Sequence, residues 1–169
     1  MLTSLQAIHS LTNEDAKQAH PVKFQATVTY IRAYEHALFV QEGDDAIYVS
    51  VSPDEKLVPG DRILIKGTVQ PSFLPYVRSS SITLLHHGAV PRPLSVTYNQ
   101  LMSDPLDCRL VSVHAVVRSA DLVLSADRPS TTLEMLSDGG NIEAVVNNSS
   151  GDALKDLLDA EVEVSGAVS

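Results

Sequence analysis

The stretch VPGDRILIKGTV, Val58 to Val69, returns ninety-nine positions later as LLDAEVEVSGAV, Leu157 to Val168. Each copy has an acidic turn, then apolar residues at alternate positions, then a glycine and one more apolar residue. Alternation with period two is the mark of a strand that buries one face. Two further pairs keep the same order. VKFQATVTY (22–30) aligns with RLVSVHAVV (109–117), and LFVQEGDDAIYVSV (38–51) with LEMLSDGGNIEAVV (133–146). The offsets drift from 87 to 95 to 99, so length changes fall between strands, where loops absorb them. A chain of 169 residues therefore has to hold two similar small sheets rather than one large one.

In the first copy the strand 22–32 is followed by ALFVQ and AIYVSV around the acid-and-glycine turn EGDD, a hairpin signal. RILIKGTV supplies a fourth strand and YVRSSSITLL a fifth. The alternation in 22–32 puts Val22, Phe24, Ala26, Val28 and Tyr30 on one face. Before these strands Leu2, Leu5, Ile8 and Leu11 have helical spacing, and Thr12 with Asp15 forms a capping-box pattern for a second short helix. HHGAVPRP reads as a linker, and a short helix from Ser95 echoes the N-terminal one. In the second copy SGDALKDLLD predicts a helix between the third and fourth strands.

Five strands with a helix between the third and fourth is the plan of the OB fold. Gly67 and Gly166 sit where a small barrel must bend sharply. The expected architecture is all-β with short helices: two tandem OB-fold-like five-stranded barrels, the second lacking its last strand in this chain. The expected segments are 1–90 (helical segment and first barrel), 91–106 (Pro-rich linker and short helix) and 107–169 (second barrel). With no fifth strand the second barrel exposes an edge, to be explained by a shortened chain or by closure from another chain or element.

Paired copies separate core from surface. Ile63 and Ile65 match Val162 and Val164, Val40 matches Met135, and Ile47 matches Ile142, so all are interior. Phe39 matches Glu134 and Tyr48 matches Glu143, so both aromatics are expected to point outward on strands two and three. OB folds hold ligands on that face, and outward rings there can stack a base, a sugar or another flat ring. Tyr34 and His36 from the first hairpin, and Phe73 and Tyr76 from the last, are expected around the patch. The competing reading is that a helix or the linker covers the aromatics.

No catalytic motif appears, and no cofactor or metal site is expected. His86 and His87 are adjacent on a strand end, so their side chains diverge and no Cys or carboxylate stands at ligand spacing. The lone Cys108 reads as a small buried hydrophobe with Asp107 beside it disfavouring a thiolate. Asp44, Asp45 and Asp138 are turn residues. Twelve Lys and Arg against 21 Asp and Glu give −9, a field that repels phosphate backbones and anionic membranes. Apolar residues at 44% suffice for packed cores, but no run approaches the ~20 needed for a membrane span.

The segments VKFQATVTYIRAYEHALFVQEGDDAIYVSV, VPGDRILIKGTVQPSFLPYV, HHGAVPRPLSV and DCRLVSVHAVVRSA together resemble tandem OB-like modules from the extracytoplasmic region of certain bacterial membrane-bound sensor histidine kinases. The resemblance covers nearly the whole chain. Its motifs are VTY, LFVQ, PGD before a strand ending in Gly, and PRP opening the next unit. Ala26 departs from an expected glycine, and Asp44-Asp45 from a Gly-Gly turn that the second copy keeps as Gly139-Gly140. The resemblance implies a non-catalytic sensor or accessory ectodomain fragment of a two-component signal-transduction protein. It would be periplasmic and tethered through a span absent from this chain. The expected partner is a small ligand or a protein, a second copy included. Single-stranded nucleic acid is the alternative, against which the net charge argues.

Overall fold

A computed structural model describes residues 1–52, 56–103, 105–124, 129–147 and 154–169. The described residues are mostly β-strand with a few short helices, and they divide into two compact units. The first unit comprises Met1–Arg92, Leu106–Leu110 and Ala167–Ser169, and the second Pro93–Pro105 and Val111–Gly166.

The first unit opens with α1 (Leu5–His9) and α2 (Asn13–Ala16). Ser4 caps α1, and Thr12 with Asp15 closes the capping box on α2 from both sides. Leu2 lies outside the helix and instead bridges to Val22 as a short parallel strand. The barrel strands are β1 (Pro21–Arg32), β2 (Ala37–Glu42), β3 (Asp45–Ser50), β4 (Arg62–Gln70) and β5 (Tyr76–His86). Their order, β1-β2-β3-β5-β4, closes through β1 against β4. Only the β3–β5 contact is parallel, with Val49 beside Val77 and Ser50 beside Arg78. This is OB-fold topology. Val22, Phe24, Ala26, Val28, Leu38, Val40, Ile47, Val49, Ile63, Ile65, Val69 and Val77 fill the interior together with Leu5 and Ile8.

Tyr30 departs from the alternation. The β1–β2 register slips between Val28 and Tyr30, leaving Thr29 as a bulge. The extra residue turns Tyr30 outward toward Phe39 and puts Ile31 against the core. The buried Thr29 hydroxyl donates to the Phe39 carbonyl at 3.0 Å, occupying an acceptor at the bulge.

Gly67 shows why the barrel needs a residue without a side chain there. The β4–β5 register shifts at Lys66/Gly67, and a Cβ on Gly67 would stand 2.1 Å from the Arg78 carbonyl oxygen. The strand bends against its neighbour at a distance that only glycine permits.

In the second unit β6 (Leu94–Ser95) runs parallel to β7 (Leu110–Leu124) and leads into α3 (Tyr98–Ser103). This repeats the bridge-then-helix opening of the first unit, within the segment expected as linker and short helix (91–106). Then come β8 (Pro129–Ser137), β9 (Gly140–Asn147) and β10 (Glu161–Ala167), in the order β10-β7-β8-β9. The second sheet is thus half a barrel. Val113, Ala115, Val117, Ala120, Leu133, Met135 and Ile142 form its core. The expected helix SGDALKDLLD begins outside the described residues, and Leu154 and Leu157 from its later part pack on that core. The hairpin-tip residues 125–128 and the connection residues 53–55 likewise lie outside the described residues.

Hydrogen bonds fix the register of the repeat. Val28 N–H donates to Asp61 and Val117 N–H to Ala160, while Gly60 and Asp159 donate back to Val28 and Val117. Val28 therefore corresponds to Val117, an offset of 89 rather than the 87 read from sequence. The two-residue error preserves strand parity, so residues up to the bulge at Thr29 keep their face, while Tyr30 beyond it does not.

Candidate functional site: an aromatic groove on the first barrel

The outward face of β2 and β3 is largely covered. Ala37, Phe39, Gln41 and Ala46 are all buried although none belongs to the barrel interior. Leu106–Leu110, within the same unit, is tied to this side by two contacts. Leu110 N–H donates to Gln41 Oε1 at 3.2 Å, and Arg109 pairs with Asp44 at 2.5 Å. Gln41 satisfies its other end by donating to the Gly43 carbonyl at 2.8 Å.

Phe39, named as a site residue with cover by a helix or the linker as the competing reading, is only 2% exposed. Its outward direction matches the sequence reading, but its availability does not. It sits between Tyr30 and Tyr48, with ring centroids 5.5 and 5.8 Å away, and the Arg32 guanidinium lies 4.9 Å from its centroid. Tilted ring pairs and a cation over the ring face are favourable arrangements for a buried aromatic. Phe39 is a packing residue.

The accessible aromatics lie one strand further on. Tyr48 meets Tyr76 edge-on at 5.7 Å, and together with Ser50, Ser72, Phe73 and Leu74 they line a shallow groove of about 400 Å³. The β4–β5 loop carries Phe73 almost entirely into solvent, at 95% exposure. Arg78 follows Tyr76 by two residues on β5 and lies beside Ser50 across the parallel pair, so its exposed side chain shares the outward face. Burial, and then the Glu35 carboxylate, push the Tyr48 phenol above its ordinary value, so it enters the groove as a neutral donor. Of the six expected site residues the groove thus gathers Tyr48, Phe73 and Tyr76. Tyr34 and His36 stand exposed on the β1–β2 turn, where His36 adopts a left-handed conformation, and neither lines the groove.

At the positions of Phe39 and Tyr48 the second unit pairs Glu134 with Glu143 across β8 and β9. That face offers carboxylates where the first unit offers rings.

Burial, and then Asp107, push the Cys108 thiol up to about 12, so it stays protonated at neutral pH. His87 Nδ1 contacts Asp61 Oδ1 at 2.6 Å, while Val58 N–H donates to the other oxygen at 2.9 Å. Burial alone would raise the Asp61 carboxyl, but these two contacts hold it below the usual carboxylate range. The pair explains the PGD motif: the acid clamps the turn that enters β4 and ties it to the end of β5. Among the described residues no three His, Cys, Asp or Glu side chains are grouped as a metal site requires, and no helix is long and apolar enough to cross a membrane.

No family model and no curated protein matches the chain. Among solved structures, one described as "Structural mimicry for functional antagonism" is similar at 12% identity, covering 83% of this chain and 79% of that one, with a TM-score of 0.42. Another, the Ifi202 HINa domain in complex with 20-bp duplex DNA, is similar at 14% identity over 73% of each chain, with a TM-score of 0.39. At those values neither likeness carries an argument about what this chain binds.

Proposed function

We propose that the first unit is a non-catalytic binding module that takes a flat ring, from a small ligand or from a partner protein, into the groove of Tyr48, Phe73 and Tyr76. The observation that carries this reading is Phe73. A phenylalanine held in water on a loop, beside two half-buried tyrosines, leaves apolar surface that a stacked ring would cover. One such stack contributes about 1–3 kcal/mol. The sequence resemblance supports placing the module in a sensor or accessory ectodomain outside the bacterial cytoplasm, where it relays occupancy rather than performing chemistry.

A second reading, single-stranded nucleic acid, is favoured by the distribution of charge. The first unit carries nine Lys and Arg against ten Asp and Glu, whereas the second carries three against eleven. The repulsion inferred from −9 therefore belongs almost wholly to the second unit. The groove itself has Arg78 beside its rings, the combination a strand of bases would use.

NMR titration of the whole chain separates the two. With N-acetyltryptophanamide as a neutral ring, shifts confined to Ser50 and Ser72–Tyr76, lost in Phe73→Ala without change in melting temperature, are expected. Absence of shifts there, or equal shifts in Phe73→Ala, would contradict the groove. A labelled oligothymidine that binds in the micromolar range at low salt, weakens as salt rises and is lost in Arg78→Ala would make nucleic acid the ligand.

A further inference from the structure

The strands β1, β4 and β5, neighbours in the first barrel, carry Lys23, Arg32, Arg62, Lys66 and Arg78 and no Asp or Glu. The chain as a whole has 21 acids against 12 basic residues, so three adjacent strands without a carboxylate run against its general charge. Arg32 and Arg62 are paired from outside these strands, by Glu35 and Glu42. Among the described residues, Lys23, Lys66 and Arg78 have no carboxylate partner.

The register brings these three cations together. Lys23 lies directly opposite Lys66 across β1 and β4, and Lys66 opposite Ser81 on β5. Arg78 lies opposite Thr68, two residues from Lys66 on the same outward face. All three are exposed. Directly opposed positions are about 5 Å apart and diagonal ones about 7–8 Å, within reach of one another for side chains of this length. Like charges in direct opposition destabilise a sheet, so the folding of the barrel gives no reason for the lysine pair. We propose that this face binds an anionic sugar, a short oligosaccharide bearing sulfate or uronate groups, through Lys23, Lys66 and Arg78.

The neutral positions favour a sugar over other polyanions. Gln25, Thr68, Ser81 and Thr83 share the outward face with the cations, and their amide and hydroxyl groups both donate and accept, as sugar hydroxyls do. Phe24 of β1 is in the core, Tyr30 lies beyond the bulge against Phe39, and β4 has no aromatic residue. Around the lysine pair a nucleic-acid base therefore finds no ring to stack on. Beside Lys23 and Gln25 the face dips into a cavity of about 690 Å³, lined also by Thr3 and Gln6, where a sugar ring would sit. Of the two carboxylates in that cavity, Glu42 pairs with Arg62 and Asp45 lies 3.8 Å from His9.

NMR titration of the whole chain tests this with two probes, a heparin-derived tetrasaccharide for sulfate and a galacturonic acid tetrasaccharide for uronate. Maltotetraose, which is neutral, and an oligothymidine are the controls. The expected result is shifts at Lys23, Gln25, Lys66 and Arg78 with an anionic sugar, weakening as salt rises, and none with maltotetraose. Which of the two probes binds identifies the acidic group. Lys23→Gln with Lys66→Gln should bind about tenfold more weakly, through loss of charge-assisted hydrogen bonds. Its melting temperature should not fall, because the double variant also removes the opposed charges. Phe73→Ala should bind the sugar unchanged, since neither lysine lines the aromatic groove, so failure of the groove leaves this site standing. No shifts with either anionic sugar, equal binding of maltotetraose, or unchanged affinity in the double variant would overturn the inference. So would loss of the sugar in Phe73→Ala, which would move it to the groove. Oligothymidine that shifts the same amides and displaces the sugar would overturn it too, making nucleic acid the occupant.

Discussion

Gly67→Val is expected to destabilise the first unit by at least ~3 kcal/mol, while Gly166→Val, the same change at the corresponding position, shifts the second unit by no more than ~0.5 kcal/mol. The difference follows from what each new side chain meets. At Gly67 a Cβ would lie 2.1 Å from the Arg78 oxygen, 2.9 Å from its carbonyl carbon and 3.0 Å from the Ser79 Cα. All three are backbone atoms of β5, so no side-chain rotation relieves the clash and β4 must separate from β5. At Gly166 nothing stands within 4 Å, and valine has good strand propensity. Urea denaturation followed by resolved NMR signals from each unit reads both effects. Equal losses in the two variants would show that the glycines serve some common need of the chain rather than the approach of a fifth strand.

The second large effect is at Phe39. Phe39→Ala should cost about 3–5 kcal/mol, the range for truncating a buried aromatic. It empties the space between Tyr30 and Tyr48 and leaves the Arg32 guanidinium without the ring beneath it. The segment held by the bond from Leu110 to Gln41 would be affected too, since Gln41 shares the outward face of β2 with Phe39. Thermal melting checks this, with Phe73→Ala as the internal comparison, expected within ~0.5 kcal/mol because the residue is exposed. If Phe39→Ala melted like the parent, the ring would be a free surface feature and Phe39 would return to the ligand site.

The contrast between Phe39 and Phe73 marks what the sequence made legible. Alternation placed Val22 to Val28, Val40, Ile47, Ile63 and Ile65 on the interior face, because a two-residue period survives even a wrong repeat offset. Comparison of copies established that Phe39 and Tyr48 point out of the barrel, since their counterparts are glutamates. It could not establish exposure. Phe39 is enclosed by Tyr30, Tyr48 and Arg32, and Leu110, 69 positions along the chain, bonds Gln41 on the same face, a contact that no local pattern announces. One trace was available: Gln41 and Ala37 alternate with Leu38 and Val40, so a small residue and a hydrogen-bonding one flank Phe39 on its own face. The Thr29 bulge was also hidden, because an inserted residue preserves composition while reversing the faces that follow it. Phe73 and Tyr76 were legible as loop aromatics near the groove. Tyr34 and His36 were equally plausible by that criterion, and only the path of the turn separates them from the site.

One plan is written twice, with a fifth strand closing the first unit and, among the described residues, four strands of the same plan in the second. Native-state hydrogen exchange tests it residue by residue. Amides linking β4 to β5 are expected to exchange only with unfolding of the first unit, whereas amides of β10 facing away from β7 are expected to exchange orders of magnitude faster than those facing it. Uniform strong protection on both sides of β10 in the free monomer, or rapid exchange along β5, would contradict it.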